Sequence, residues 1–181
     1  MDIFECINGR RSVRSYLPKP VEEEKIERLL CAGAMAPSAM NRQPCRFTVV
    51  EDKSIIGVLS DKTKKNLGVL GFGLDAAEML KVKEDVIFYN APLLIVVSAP
   101  KDDKWSKVDS ALAAQNMMLA GYALGLGSCF IGFALALNND KQALKELAIL
   151  DGFEIIVPLI FGYPAGKLGV KERKPKVLKR M

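Results

Sequence analysis

Leu93-Leu94-Ile95-Val96-Val97 is the stretch that decides the architecture. Five consecutive aliphatic residues without polar alternation describe a strand covered on both faces, because a strand with one wet face alternates. Working outward from it, Phe47-Thr48-Val49-Val50 reads as a second buried strand, and residues 54–59 as a short helix capped by Ser54. Residues 22–34 place Ile26, Leu29, Leu30 and Gly33 on one helical face and Glu23, Glu24, Glu27 and Arg28 on the other, and Pro37 stops the helix. Residues 2–8 read as a short opening helix that ends at Gly9. Towards the C-terminus, Asp109 or Ser110 is expected to cap a long apolar helix to Leu124, with Met117, Met118 and Tyr122 in the core. Asp140 caps another helix over residues 141–147, and residues 154–161 form the last strand, ended by Gly162-Tyr163-Pro164. Helices and strands interleave around one sheet with no repeat, linker or low-complexity tract, so the chain is one domain over residues 1–181, of α+β or mixed α/β class.

Two segments need separate treatment. Residues 111–139 carry no formal charge and are long enough on paper to span a bilayer, but Gly125, Gly127 and Ser128 break them and Gln115 and Asn116 sit early. A helix buried on nearly all sides is the expected reading, with no membrane association. Residues 63–74 carry Gly68, Gly71 and Gly73 without helical or strand period. No Gly-Lys-Ser/Thr follows, which excludes a P-loop and leaves a mobile lid as the expected use.

Composition narrows the chemistry. There is no histidine among the 181 residues, which removes the commonest general base, the usual nucleophile pairs and the commonest metal ligand. Cys6, Cys31, Cys45 and Cys129 are irregularly spaced, so neither zinc nor a redox dithiol is expected. The opening Asp2-Ile3-Phe4-Glu5 has no basic start or apolar run of a signal peptide, and a cytoplasmic protein with reduced thiols is the expectation. Lys171, Arg173, Lys174, Lys176, Lys179 and Arg180 against Glu172 place the whole net charge of +5 in the last eleven residues, so no nucleic-acid-binding face is implied. Glu22-Glu23-Glu24 lies at a solvated helix start, where acids favour the dipole, and is not a catalytic set.

What the chain does possess is a means of holding phosphate. Arg10, Arg11, Ser12 and Arg14 put three guanidinium groups and a hydroxyl into five residues, suited to a phosphate monoester; the alternative is a solvated basic turn. A second element, Pro37-Ser38-Ala39-Met40-Asn41-Arg42-Gln43-Pro44, follows a helix and precedes a strand, where turn chemistry is the alternative. Few acid-base groups beside a phosphate grip point to a cofactor that does the hard chemistry.

Taken in order, Arg10-Arg11-Ser12-Val13-Arg14, residues 36–44, Ala91-Pro92, residues 109–116, Leu124-Gly125-Leu126-Gly127-Ser128 and Gly162-Tyr163-Pro164 resemble the FMN-dependent nitroreductases over nearly the whole chain. The resemblance implies an α+β nitroreductase-like fold with a central mixed sheet, a homodimer, FMN as cofactor and NADH or NADPH as donor. It implies Arg10, Arg11, Ser12 and Arg14 on the phosphate and ribityl chain, with Arg173 returning from the tail. Pro37, Ser38, Ala39, Met40, Asn41 and Gln43 would reach the flavin ring from the second subunit, and Ile131 and Gly132 would offer backbone near its N5 edge. No side chain is implied as catalytic. Hydride would pass through the flavin to a nitroaromatic, quinone or similar small-molecule acceptor by ping-pong kinetics. Relatives that dehalogenate or fragment flavin, and flavin-binding or electron-transfer proteins with a protein partner, define the alternatives. The chain is shorter than the longer members, with no insertion between the sheet and the tail.

Overall fold

The computed structural model describes residues 1–70, 78, 81, 85–166, 169 and 173–179. Its sheet is built on the aliphatic run. β1 (Arg46–Val50) pairs with β2 (Leu93–Pro100), β2 with β4 (Phe153–Gly162), and β3 (Gly127–Phe130) closes the far edge, in the order β1-β2-β4-β3. Leu93, Leu94, Ile95 and Val97 are 0% exposed, as a strand covered on both faces requires. All three strand pairings are antiparallel, and the parallel part of the expected mixed sheet is reduced to one bridge, Ser12 to Ser128.

Alternation divides the core into two layers. Leu94, Val96 and Ile160 face α3 (Lys53–Asn66) through Ile56 and Leu59, and the 3-10 turns of Gly132–Asn139 through Ala134 and Leu137. Leu93, Ile95, Leu159 and Phe161 face α2 (Glu23–Ala34) through Ile26 and Leu29, and α4 (Ser106–Ala123) through Ala114 and Met117. A register shift between Val97 and Ser98 leaves Ile156 as an extra residue in β4. Ile155 is thereby moved to the first layer while Val157 stays in the second, the face switch that one inserted residue produces. Truncating a fully buried Leu29 or Met117 to alanine should cost about 2–5 kcal/mol.

Several boundaries differ from expectation, each for a local reason. α1 (Ile3–Gly9) starts at Asp2, whose carboxylate accepts from Glu5 N while Glu5 returns the bond to Asp2 N, a capping box. α3 is capped by Asp52 rather than Ser54, because Asp52 Oδ1 accepts from Ser54 N at 2.7 Å and Ile55 N at 3.4 Å and takes the Ser54 hydroxyl as well. Residues 63–66 continue α3 and Leu67–Leu70 forms a 3-10 turn, so the expected aperiodic segment is helical as far as residue 70. The period was disguised by buried polar residues: Thr63 is 0% exposed and satisfies its hydroxyl on Leu59 O. The rest of that segment, with the lid expected there, lies outside the described residues. β3 is a strand where only a loop was expected. Asp140 caps α5 (Lys141–Glu146) as expected, accepting from Ala143 N at 2.9 Å. Gly125, at φ +78°, turns the chain out of α4 in the left-handed conformation that glycine adopts freely. Among the described residues no helix is long and apolar enough to cross a membrane.

Candidate functional site

Residues 10–17 are held as an extended strap by the core beneath them. Arg10 N donates to Cys6 O at the end of α1, Val13 N to Ser128 O and Leu17 N to Tyr163 O. Val13 is 2% exposed, and a side chain added at Gly127 would stand 2.5 Å from Val13 Cγ2, so glycine is what lets β3 approach the strap. With Val13 turned inward, alternation leaves its neighbours Ser12 and Arg14 exposed.

The guanidinium groups of this strap form an unbalanced cationic cluster. Arg10 is held below its ordinary value first by burial, then by the charge of Arg173 and then by that of Arg11. The charge of Arg173, far along the sequence, is thus felt at Arg10. None of Arg10, Arg11, Arg14 or Arg173 is in an ion pair among the described residues. Arg11 donates through Nη1 to Arg10 O at 2.7 Å, but its buried Nε has no partner. An unpartnered donor and crowded like charges are costly unless an anion with several acceptor oxygens takes them up. A phosphate monoester fits that requirement.

Beside the cluster opens a cavity of about 200 Å³, lined by Arg14, Ile87, Tyr89, Phe130, Ile131, Gly132 and Phe133. Arg14 lies 5.9 Å from the centre of the Tyr89 ring. Gly132 begins the 3-10 turns after β3, a position whose amide has no acceptor within the helix. A methyl at Gly132 would meet only the Phe130 ring at 3.8 Å, so internal packing is not what excludes a side chain there. Apolar walls with one cation and an available amide suit a flat, heteroatom-edged ring.

Three further residues complete this half, and reading the sequence had not found them. Cys129 lies under the strap, its thiol pushed up by burial while Arg14, the Ser12 hydroxyl and Arg10 pull it down. Tyr16, raised by burial, donates to Val13 O at 2.8 Å and braces the strap. Asp85 accepts from Ile87 N, Phe88 N, Asn90 N and the Ser60 hydroxyl, and so shapes the turn that presents Tyr89 at φ 55°. A lone Asp with no motif around it gives no signal in a sequence.

Pro37, Ser38, Ala39, Met40, Asn41 and Gln43 lie elsewhere. Pro37, Ser38 and Gln43 line a different cavity, of about 150 Å³, with Asp109 and Cys45. Within one chain the two groups are thus not brought together. Their loop is preformed: Gln43 N donates to Ser38 Oγ at 2.9 Å and Gln43 Nε2 to Asn41 Oδ1 at 3.2 Å. Asp109, expected to cap α4, instead lies in its first turn and points at this loop, while Trp105 takes the cap position without a side-chain bond.

An α+β fold with an arginine cluster suited to a phosphate beside an aromatic slot fits the class of proteins that work through a bound nucleotide-like cofactor. Residues 7–163 match the family described as the nitroreductase family, and the chain belongs to it. A crystal structure of a nitroreductase with bound FMN from Bacteroides fragilis aligns with a TM-score of 0.85 and 28% identity, covering 100% of this chain and 98% of that one. The FMN reductase (NADPH) of Bacillus subtilis is 27% identical over 96% of this chain and 70% of its own length. A relative from Archaeoglobus fulgidus, named provisionally as an NADH dehydrogenase/NAD(P)H nitroreductase, is 31% identical over 90% of this chain and 86% of its own.

Proposed function

We propose that this protein is an FMN-dependent NAD(P)H oxidoreductase that acts as a homodimer and passes electrons to a nitroaromatic, quinone or similar small acceptor. The observation that supports it best is the convergence of Arg10, Arg11 and Arg173, unpaired by acids, beside a slot walled by Tyr89, Phe130 and Gly132. The names of the relatives agree with that chemistry. Arg10, Arg11, Ser12 and Arg173 would hold the phosphate, Arg14, Ile131 and Gly132 the ring. The chemistry that FMN supplies when bound is two-electron transfer, from NADH or NADPH to the acceptor. The chain has no histidine, and its own part is to bind, to orient and to exclude water. Donor and acceptor use the same open face in turn, which makes the kinetics ping-pong.

What one chain leaves uncovered supports homodimerisation. Val108 and Leu112, one turn apart on α4, are 50% and 41% exposed, and a separate apolar groove of about 480 Å³ is lined by Ala111, Ala114 and Met118 of α4 with Phe130, itself 44% exposed, and Ile156. Such a face needs a partner, and a second copy brings Ser38, Asn41 and Gln43 to the slot that the first copy lacks them in.

The test is spectroscopic. The purified protein should be yellow, release FMN rather than FAD on denaturation, and bleach on anaerobic addition of NADH or NADPH. Initial rates at varied donor and acceptor should give parallel double-reciprocal lines, and sedimentation equilibrium a dimer. Colourless protein that added FMN cannot restore would reject the function. Intersecting lines would replace the shared face with two sites, and a flavin-replete monomer would reject the composite site.

A further inference from the structure

Three residues of the 38–43 loop sit in the left-handed region without being glycine: Met40 at φ 55°, Asn41 at 53° and Gln43 at 49°. Asparagine tolerates this conformation, but methionine and glutamine persist in it only where the surroundings over-determine them. Within the loop, Asn41 N donates to Ser38 O and Arg42 N to Ala39 O, beside the Gln43 bonds to Ser38 and Asn41. The surroundings that hold it are two carboxylates at the start of α4. Asp109, 4% exposed, places both oxygens on Ala39 N, at 3.2 and 3.3 Å, just where the loop turns. Asp103 takes Arg42 Nη2 at 3.0 and 2.9 Å and is itself fixed by Trp105 N and the Ser106 hydroxyl. Arg42 Nε reaches back to Ala39 O at 3.3 Å, so the two ties meet at one residue, on the peptide units either side of it.

We infer that Asp109 is a positioning residue for the flavin site, with the Arg42–Asp103 pair as its outer support. Together they clamp the loop that carries Ser38, Asn41 and Gln43 to the helix whose exposed face is offered to the second subunit. The inference rests on the flavin reading above. Its physical content is preorganisation: a buried acceptor holds the Ala39 amide so that the strained loop is already in its binding shape before a ligand arrives. Neither carboxylate touches the cavity beside the arginine cluster, so both act through the loop. The buried carboxyl group also sits in the first turn of α4, where the helix dipole favours an acidic side chain, and it is in no ion pair among the described residues.

Asp109→Ala, Asp109→Asn and Arg42→Ala separate this role from a general structural one. In apo-protein, amide exchange read on peptides over residues 36–45 should speed up about tenfold or more in Asp109→Ala, with peptides from β2 and β4 unchanged. FMN binding, followed by quenching of its fluorescence, should weaken by about tenfold or more in the same variant. Asp109→Asn keeps an oxygen for the Ala39 amide and should recover FMN affinity to within about threefold of wild type. Arg42→Ala alters an exposed side chain only and should loosen the loop and weaken FMN by about threefold. Unchanged loop exchange and affinity in Asp109→Ala would overturn the inference. Loss of protection spread through β2 and β4, unrescued by asparagine, would reduce Asp109 to a fold residue and overturn it as well. Should Asp109→Ala fail to fold, Arg42→Ala decides, and unchanged exchange at residues 36–45 in that variant refutes the clamp. Wild-type protein that binds no FMN would refute the flavin reading itself, while the exchange measurement still judges the clamp.

Discussion

In an Arg10→Met variant, flavin affinity is expected to fall while the stability of the apo-protein holds or rises. Arg10 is disfavoured in the folded state by burial and by two like charges, Arg173 and Arg11. A like-charge contact in a solvated cluster is worth about 0.2–1 kcal/mol, so relieving two amounts to about 1 kcal/mol. For a domain of this size that is a rise of about 2–4 °C in Tm. Methionine keeps the aliphatic stem, so packing changes little. Against this, a lost charge-assisted bond to a phosphate dianion costs about 1.5–3 kcal/mol, or roughly 10–150-fold in Kd. Melting of the apo-protein by differential scanning fluorimetry at low and high salt, with FMN titration by calorimetry, reads both quantities. The stabilisation should shrink at high salt, because the repulsion it relieves is screened. An apo-protein destabilised by more than about 2 °C, with FMN affinity within about threefold of wild type, would refute the reasoning, since Arg10 would then be a structural residue.

Gly132→Ala should leave the apo-protein's Tm unchanged, because the new methyl meets only the Phe130 ring at 3.8 Å, yet add to the lining of the slot and lower FMN affinity by about tenfold or more; unchanged affinity would move the ring elsewhere. Leu112→Glu should place charge on the uncovered face of α4, convert the dimer to monomer and release flavin in parallel, as sedimentation and absorbance would record. Glu22, drawn down to about 2 first by the Tyr163 hydroxyl and then by Lys19, has a folded value below its unfolded one, so its contribution is present above the ordinary carboxylate range and lost as pH falls towards 2. Urea melts of Glu22→Gln should accordingly match wild type at pH 2 and fall below it near pH 6, and equal midpoints throughout would show the Glu22–Tyr163 contact to be without effect.

The parts of this fold that were legible are those where burial leaves a periodic trace. The unbroken 93–97 run gave a strand covered on both faces, and the face of Ile26 and Leu29 gave α2. β3 was not legible because four residues, Gly-Ser-Cys-Phe, are too short for a period and follow a glycine that ends α4. Asp109 was misjudged for a different reason: a carboxylate near a helix start looks the same in sequence whether it caps its own helix or accepts an amide from a loop seventy positions away. The arginine strap was visible as composition and Arg173 through the family resemblance, but the unpartnered Nε of Arg11 was not legible, because tertiary burial leaves no mark on spacing. The sheet's antiparallel pairing likewise depends on connections that strand composition does not encode.

Arg10 and Arg173 stand near opposite ends of the chain yet share one electrostatic neighbourhood. An anion held by both closes a ring that contains almost the entire polypeptide, so the ligand behaves as a removable cross-link. Loop closure costs more the longer the loop, though only logarithmically, and this loop runs from residue 10 to residue 173. In that case bound FMN should slow tryptic cleavage after Lys176, and its removal should restore it.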